Sequence, residues 1–280
     1  MGAVHVVGAG LAGLSCAVGL VRAGRRVSVY EAAGHAGGRC RSFFDPGLGR
    51  RIDNGNHLIL SGNRATLGYL GDIGSADSLS GPEEAEFPFL DLDSNRRWTV
   101  RPNRGPVPWW VHSTARRVPG SSPIDYLQGL RMAWAGPGAR VADCLNTQRQ
   151  SYKRFWEPLS VSVLNTSAEE GAASLLWPVL RQTFGRGAAA CRQLIAAEGL
   201  SESFVDPALK FLKERECPVR FNCRLKAIDF APDRVAGLDF GAARTGLAPV
   251  DSVVLAVPPA AAAALVPAIK TPARSRAIVN

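Results

Sequence analysis

Short apolar runs and a glycine-rich junction alternate along the first 30 residues. Residues 3–7 are almost continuously apolar, which is typical of a short strand buried on both faces. Small and apolar side chains recur with helical spacing over residues 11–23 and stop at Gly24, and residues 26–30 indicate a second strand. The pattern therefore predicts a βαβ unit.

Alternating and helical patterns continue through the middle of the chain. The alternation over residues 87–102 predicts a β-hairpin that turns near Ser94 and Asn95. Helices are predicted at 63–73, 123–134, 150–158, 168–184 and 201–215.

Strand patterns return after residue 217. The stretches PVRFNCRLKAIDF and RVAGLDFG predict a hairpin or meander, DSVVLAVPP predicts a buried strand, and residues 260–264 predict a short helix. We therefore expect an α/β fold built on a Rossmann-like nucleotide-binding domain. This domain comprises residues 1–78 and 201–280, and residues 79–200 form an inserted α+β substrate domain.

Composition limits the functional classes. The 280 residues are 46% hydrophobic and 20% charged, as in globular proteins, and the net charge is +9. The charge reflects either a compositional bias of the source genome or attraction to anionic lipid surfaces and phosphates. No basic run is interleaved with aromatic residues, which argues against nucleic-acid binding. All six tryptophans fall between residues 98 and 177, so this part contains either a bulky core or a bulky apolar pocket.

Cysteines and apolar runs bear on location. The six cysteines form no C-x-x-C pair, so we expect free thiols in a reducing compartment and no metal site. No basic region precedes the first apolar run, and prolines interrupt the longest one, residues 253–269. The sequence thus predicts no signal peptide, no membrane-spanning helix and a cytoplasmic location, with peripheral contact to the inner membrane surface as a further expectation.

Three glycines at the predicted strand-to-helix junction form a G-x-G-x-x-G motif. Gly8 permits the tight turn, Gly10 lets a pyrophosphate approach the backbone, and Gly13 lets the helix pack closely on the strand. The helix N-terminus then offers free N–H groups to the phosphates. Glu31 ends the second strand, where its carboxylate can accept hydrogen bonds from ribose hydroxyls and would repel a 2′-phosphate.

A second glycine pair follows the second strand in GGRCRS. Gly37 and Gly38 allow close backbone approach, and Arg39 and Arg41 add positive charge for a diphosphate. A simple NAD dehydrogenase does not need this element, so it favours FAD. The alternative interpretation is a loop of basic surface residues.

Four motifs resemble the flavin-containing amine oxidase and phytoene desaturase superfamily: GAGLAG, the terminal Glu31, GGR, and DNGNH at 53–57. A longer ordered set, from Val4 to Asn280, resembles the bacterial hydroxysqualene dehydroxylases, squalene-associated FAD-dependent desaturases of hopanoid biosynthesis. The set is EAAGHAGGRCRSFFD, IDNGNHLILSGN, RRVPG, FWEPL, LNT, AACRQLIAAEGLSESFVDPAL and LAVPP.

The resemblance implies FAD as cofactor, bound in the manner of the amine oxidases. The residues it assigns to the cofactor are Gly8, Ala9, Gly10, Leu11, Ala12, Gly13, Glu31, Ala32, Gly37, Gly38, Arg39, Arg41, Gly55, Asn56, His57, Leu225, Ala256, Val257 and Pro258. Members of the superfamily continue with a late glycine motif that covers the flavin. Nothing here matches it, so we expect a C-terminally truncated chain.

The resemblance also implies a reaction, the reductive removal of the hydroxyl of hydroxysqualene to give squalene. An acid near the flavin must help the hydroxyl leave as water, and Asp53 and His57 are the candidates. Asp53 has an alternative role as a structural carboxylate, and His57 as a hydrogen-bonded scaffold residue. Phenylalanines of the tryptophan-rich segment are candidate walls for a cationic polyene, namely Phe87, Phe89, Phe155 and Phe184. The long apolar isoprenoid substrate would arrive from a membrane or from a partner enzyme of squalene synthesis.

Three alternatives stay open at this stage. One is a carotenoid or phytoene-type desaturase, which runs FAD chemistry in the oxidative direction. Another is a non-enzymatic binding protein like the GDP-dissociation inhibitors, although the intact diphosphate motifs argue against it. The third is a degenerate fragment that binds nothing.

Overall fold

The computed structural model describes residues 2–55 and 58–267. Asn56 and His57, predicted to lie beside the flavin, are outside the described residues. The chain divides into two compact units. The first comprises Met1–His57, Thr66–Leu79 and Ala196–Asn280, and the second comprises Leu58–Ala65 and Ser80–Ile195.

The first unit contains a four-stranded parallel sheet. Its strands lie in the order β10 (Val219–Arg220), β2 (Val27–Tyr30), β1 (Val4–Val7) and β14 (Ser252–Leu255). β1 is buried along its whole length, as the continuous apolar run predicts for a central parallel strand. The predicted βαβ unit is present, with α1 (Leu11–Arg22) connecting β1 to β2.

α1 covers the sheet with one face. Gly13, Leu14, Ala17 and Val18 are its buried positions, and their spacing is that of an amphipathic helix. α1 ends at Arg22, and Gly24, two residues later, has a φ of +71°, which suits glycine after a helix. α6 (Asp206–Glu214) also belongs to this unit and buries Ala208, Phe211 and Leu212.

Smaller elements complete the first unit. They are the hairpin of β3 (Ser42–Asp45) and β4 (Arg50–Asp53), the helices α2 (Arg64–Asp72) and α7 (Pro259–Leu265), and the antiparallel meander of β11 (Ala227–Phe230), β12 (Val235–Asp239) and β13 (Arg244–Gly246). The sequence prediction of strands after residue 217 needs one correction. Val219 and Arg220 pair in parallel with β2 instead of joining the meander, because Asn222, with φ +57°, turns the chain away before β11.

The second unit combines a hairpin with short helices. Its elements are β5 (Ile59–Leu60), β6 (Leu79–Ser80), β7 (Phe87–Asp91), β8 (Arg96–Val100), α3 (Pro123–Leu127), α4 (Glu157–Leu164), α5 (Ala173–Gln182) and β9 (Gln193–Ala196), with β6 and β9 at its boundaries. The predicted hairpin is confirmed, and Asn95 takes φ +49° in its turn.

The predicted helices of this unit are present but less regular than expected, and the one predicted at 168–184 is shorter. α3 continues as a 3₁₀ turn over Gln128–Trp134, and a π-helical turn over Tyr152–Trp156 precedes α4. α5 begins at Ala173 and not at residue 168, because Ala172 has an extended backbone, with φ −71° and ψ 126°.

Aromatic rings form the core of the second unit. The ring centroids of Phe155 lie 5.3 Å from Tyr126 and 5.1 Å from Trp156, both edge to face. Trp110 and Trp156 are buried, whereas Trp109 and Trp134 are exposed. Most of the tryptophans therefore serve the core, the first of the two predicted roles. Within residues 2–55 and 58–267, no helix has the length and apolar character needed to cross a membrane.

Candidate functional site

The turn between β1 and α1 uses two of its glycines for packing. Gly8 has a φ of +102°, and a Cβ added there would lie 2.4 Å from the carbonyl oxygen of Ala256. A Cβ on Gly13 would lie 1.8 Å from the carbonyl oxygen of Gly8. Both distances are far below van der Waals contact, so no side chain fits at either position.

Gly10 differs from the other two glycines because the space in front of it is open. The nearest atom to a Cβ added there would be the Gly37 carbonyl oxygen, at 4.0 Å. Gly10 is the N-cap of α1, and the first turn of that helix contains no acidic residue. Leu11 and Ala12, the next two residues, are exposed. The unpaired N–H groups of the first turn therefore face an accessible space that suits an anion.

The GGR loop lies against this turn, as the FAD prediction requires. The Gly37 N–H donates to the Ala9 carbonyl at 2.8 Å, and Gly10 and Gly37 form an isolated parallel bridge. Gly38 has φ +59°, and a Cβ there would lie 3.5 Å from the Cα of Gly10. Arg39, next in the chain, is exposed. Two glycine turns and an arginine thus meet at one helix N-terminus.

The Glu31 carboxylate is anchored at the end of β2. Its Oε2 accepts the Ala9 N–H at 2.7 Å, and its Oε1 accepts the Ala33 N–H at 2.8 Å. A carboxylate has about four acceptor positions, so two bonds leave capacity for ribose hydroxyls. Ala32, between Glu31 and Ala33 in the chain, is half-buried.

The last strand delivers its three predicted residues to the glycine turn. The Ala256 N–H donates to the Val7 carbonyl at 2.8 Å, and its Cβ would lie 3.3 Å from a Cβ on Gly13. Val257 Cγ1 would lie 3.5 Å from a Cβ on Gly8. Pro258 caps α7 directly afterwards.

Leu225 follows a segment that runs beside Glu31. The Cys223 N–H donates to the Glu31 carbonyl at 2.8 Å, and the Asn222 N–H donates to the Ala33 carbonyl at 3.1 Å. The Leu225 side chain is buried with Val7 and other core residues, so only its backbone is available for a ligand.

Arg41 contacts its own loop. Its Nη1 lies 2.7 Å from His35 Nε2, and its guanidinium lies 5.3 Å from the centre of the Phe43 ring. These three residues line a cavity of about 360 Å³ in the first unit, together with Arg51. The assignment of Arg41 to the diphosphate stays a prediction.

Asp53 takes part in a hydrogen-bond network that the sequence did not reveal. Its Oδ1 accepts the Ser42 hydroxyl at 2.6 Å and the Leu200 N–H at 2.9 Å. Ser42 and Ser201 exchange two further bonds, from the Ser42 N–H to the Ser201 hydroxyl at 2.7 Å and from the Ser201 N–H to the Ser42 hydroxyl at 3.0 Å. The network joins the β3–β4 hairpin to the chain segment that leads into α6.

Gly199 explains why these groups can approach so closely. A Cβ on Gly199 would lie 2.8 Å from the Ser42 hydroxyl oxygen and 3.3 Å from Asp53 Oδ1. Glu202 Oε2 also accepts the Ser42 hydroxyl, at 3.1 Å, and Glu202 Oε1 is paired with Arg51 at 2.6 Å. Gly55, the last described residue before the predicted flavin-side pair, follows this network by two positions.

The GGR loop contains one thiol, that of Cys40, and its pKa bears on its reactivity. Burial raises the pKa of Cys40 to about 11, with the Asp53 charge adding to the shift. A raised pKa favours the neutral thiol at physiological pH, which argues against Cys40 as a nucleophile.

The residues present fit the adenosine diphosphate half of FAD. The accessible face of Gly10, the helix N-terminus and Arg39 would hold the two phosphates, and Glu31 would hold the ribose. The fit rests on a contrast among the three glycines. Protein atoms leave no room for a side chain on Gly8 or Gly13, whereas the space in front of Gly10 is open.

Comparison with known proteins agrees with this fit. The family profile described as flavin containing amine oxidoreductase matches residues 11–280. Three curated relatives, each named hydroxysqualene dehydroxylase, are similar over nearly the whole chain: 47% identical in Rhodopseudomonas palustris, 44% in Sinorhizobium fredii and 43% in Zymomonas mobilis. These alignments cover 99%, 99% and 100% of this chain and 66%, 66% and 68% of the relatives. The chain thus spans about two thirds of the length of these relatives.

Solved structures share the fold at low sequence identity. An oxidoreductase from Methanosarcina mazei superposes with a TM-score of 0.69 and 14% identity, covering 98% of this chain and 63% of that protein. A cyclohexylamine oxidase from Brevibacterium oxydans superposes with a TM-score of 0.61 and 16% identity, covering 94% of this chain and 59% of its own.

A more distant relative, named probable zeta-carotene desaturase, from Synechococcus elongatus, is 24% identical over 81% of this chain and 51% of its own length.

Proposed function

The chain belongs to the flavin containing amine oxidoreductase family, whose cofactor is FAD, and we propose that it carries the cofactor-binding and substrate regions of a hydroxysqualene dehydroxylase. The observation that carries the proposal is the 43–47% identity to three proteins of that name over almost the entire chain. The geometry supports it, because the glycine turns and Glu31 stand where the dinucleotide half of FAD would lie.

The proposed reaction replaces a hydroxyl group by hydrogen. The C–O bond of hydroxysqualene breaks, the oxygen leaves as water after taking a proton, and two electrons arrive as hydride. FAD, when bound and reduced, would supply that hydride. The reaction also requires an external reductant of the flavin, a role that dithionite can fill in an assay.

Residues of this chain would hold the cofactor and shape the site. The N-terminus of α1 would offset the negative charge of the diphosphate, with the exposed Arg39 as a counter-charge. Glu31, fixed by two backbone N–H groups, would orient the adenosine ribose. Fixed donors and acceptors of this kind lower the ordering cost of binding a long, flexible cofactor.

Asp53 would act through position and not as the proton donor. Its Oδ1 accepts two hydrogen bonds, one of them from a backbone N–H, and this arrangement fixes the strand that leads to Gly55. We therefore propose that Asp53 holds the flavin-side stretch in place. The proton donor stays a prediction at His57, which is outside the described residues.

Delivery of the substrate follows from its chemistry. A long isoprenoid alcohol partitions into lipid, so it would reach the protein from a bilayer or from a partner enzyme of squalene synthesis. The positive net charge of +9 suits contact with an anionic surface.

A desaturase acting on a carotenoid-like polyene is the second candidate. The observation that favours it is the 24% identity to the zeta-carotene desaturase relative. Cofactor motifs do not separate the two, because both directions of the chemistry need the same FAD site.

One experiment separates these functions. The chain would be assayed alone and as a chimera completed by the corresponding C-terminal part of the Rhodopseudomonas palustris relative, each with FAD. Hydroxysqualene would be supplied with dithionite as reductant, and zeta-carotene with a quinone as oxidant, with products measured by mass spectrometry. Formation of squalene supports the first function. Desaturation of zeta-carotene without squalene formation would replace it with the second. The R. palustris enzyme run in parallel proves that the assay works, so a chimera that binds FAD and converts neither substrate would refute both.

A further inference from the structure

One face of the segment from Pro123 to Trp134, in the second unit, is apolar and exposed. α3 and the 3₁₀ turn after it bury Tyr126, Gly129 and Met132. The large apolar side chains exposed between and beyond these positions are Ile124, Leu127, Leu130 and Trp134. Their spacing of three to four residues places them on the side opposite the core. We call these four residues the apolar face.

The chain segment that carries the apolar face is mostly cationic, and the next carboxylate after it is Asp143. Residues 105–141 contain a single carboxylate, Asp125, which is buried and paired with Arg149 at 2.6 Å. The same stretch contains the arginines Arg116, Arg117, Arg131 and Arg140. In the described part of the chain, none of these four is ion-paired to a carboxylate. Arg131 and Arg140 are also exposed, so their charges are available to an external anionic surface, whereas Arg116 and Arg117 are half-buried.

A second exposed tryptophan lies on a neighbouring turn. The 3₁₀ turn Trp109–His112 packs against α3, because the rings of Trp110 and Tyr126 meet edge to face with centroids 4.9 Å apart. Trp109 itself is exposed, and the Arg116 guanidinium lies 5.0 Å from the centre of its ring. Tryptophan and arginine together are typical of side chains that sit at a boundary between lipid and water.

We propose that the apolar face docks on the surface of an anionic lipid bilayer. Leu127, Leu130 and Trp134 would enter the boundary between headgroups and acyl chains, while Arg131, between them in sequence, would contact anionic headgroups. The charge argues against a second copy of the chain as the occupant, because a symmetric dimer would bring the same arginines together. The docking of this face depends on the proposed function only for its biological purpose, which is the uptake of a water-insoluble substrate.

Vesicle sedimentation tests the proposal without any turnover, so its failure is distinguishable from failure of the proposed function. The protein would be titrated with vesicles of phosphatidylcholine alone and of phosphatidylcholine mixed with phosphatidylglycerol. Binding is expected only to the mixed vesicles. Trp134→Ser should weaken it about tenfold or more, from the apolar area that no longer enters the bilayer. Arg131→Gln should weaken it about fivefold, the equivalent of about 1 kcal/mol per cation at the surface.

Matched controls come from the β7–β8 hairpin. Leu92 is 84% exposed, against 82% for Trp134, and it lies between Asp91 and Asp93. Leu92→Ser and Arg97→Gln should therefore leave vesicle binding unchanged. Trp134→Phe should retain most of the affinity, because an aromatic ring still reaches the interface.

Three results would overturn the proposal. Equal binding to both vesicle types would exclude recognition of anionic lipid. An equal loss in the hairpin controls would exclude a role specific to the apolar face. Dimerisation in light scattering that Trp134→Ser abolishes, with no vesicle binding by the parent chain, would assign the face to a second copy. Urea unfolding of each variant shows that the fold is intact.

Discussion

Replacing Gly13 with alanine should damage the fold even when no cofactor is bound. The new Cβ would lie 1.8 Å from the Gly8 carbonyl oxygen and 3.3 Å from the Ala256 Cβ. An ordinary non-bonded contact is about 3.5 Å, so α1 would have to move from β1 by more than about 1.5 Å. Overpacking of this kind costs about 3 kcal/mol or more. At roughly 2–4 °C per kcal/mol for a domain of this size, the unfolding midpoint should fall by about 6–12 °C.

Gly10→Ala is the matched variant with the opposite expectation. Gly10 has φ −69° and ψ 176°, which alanine adopts without strain, and no protein atom lies closer than 4.0 Å to its Cβ position. The loss of glycine at the N-cap costs about 1 kcal/mol at most. FAD affinity should nevertheless fall at least about tenfold, because the methyl group would occupy the space in front of the free N–H groups.

Differential scanning fluorimetry and FAD titration together decide the matter. The account predicts a large loss of stability in Gly13→Ala, and a small loss of stability with impaired FAD binding in Gly10→Ala. Similar midpoints for the two variants would refute the packing argument. Unimpaired FAD binding by Gly10→Ala would refute the placement of the diphosphate.

Four single groups give further predictions. Glu31→Gln should lower the free energy of unfolding in urea by about 1–3 kcal/mol, because one backbone N–H loses its acceptor; an unchanged value would contradict the anchoring. Asp53→Ala should cost about 2 kcal/mol in the same assay and Asp53→Asn less, because the amide oxygen still accepts; equal losses would count against the network. Burial lowers the folded-state pKa of His5 from its ordinary 6.5, so the unfolded chain binds more protons and the free energy of unfolding should fall as the pH drops below 6.5. His5→Gln should make this fall less steep. Parallel pH profiles of the variant and the parent chain would disprove it. Burial raises the pKa of Cys191 to about 12, so mass spectrometry at pH 8 should find it alkylated by iodoacetamide only after unfolding; rapid labelling of the native protein would contradict this.

The sequence predicted the parts of the fold that depend on neighbouring residues. The β1–α1–β2 unit and the hairpin turn at Asn95 follow from local periodicity and turn chemistry, and both are present. The contact between the GGR loop and the glycine turn was also implied, because both motifs point to the same ligand.

Contacts between distant residues were beyond local pattern. Ser42 and Ser201 are 159 positions apart, and Asp53 and Leu200 are 147 apart, so no periodicity connects them. A serine at the start of a strand, Ser42, and a glycine shortly before a helical turn, Gly199, are too common to signal a network. The parallel pairing of β10 with β2 was likewise not predicted, because two residues of strand carry no period that specifies a partner.

The extent of the helices at 123–134 and 201–215 was predicted, but the type of helical turn within them was not. A π-helical turn precedes both α4 and α6, and a 3₁₀ turn extends α3. Over a single turn, an apolar spacing of three to four residues fits all three helical forms, so it marks the buried face without marking the type of turn.

The central claim is that the adenosine diphosphate half of FAD binds where β1 becomes α1. A crystal structure of the protein grown with ADP tests this directly. We expect phosphate oxygens within hydrogen-bonding distance of the N–H groups from Gly10 to Ala12, and ribose hydroxyls on the Glu31 carboxylate. ADP bound elsewhere, with this turn unchanged and free, would contradict it.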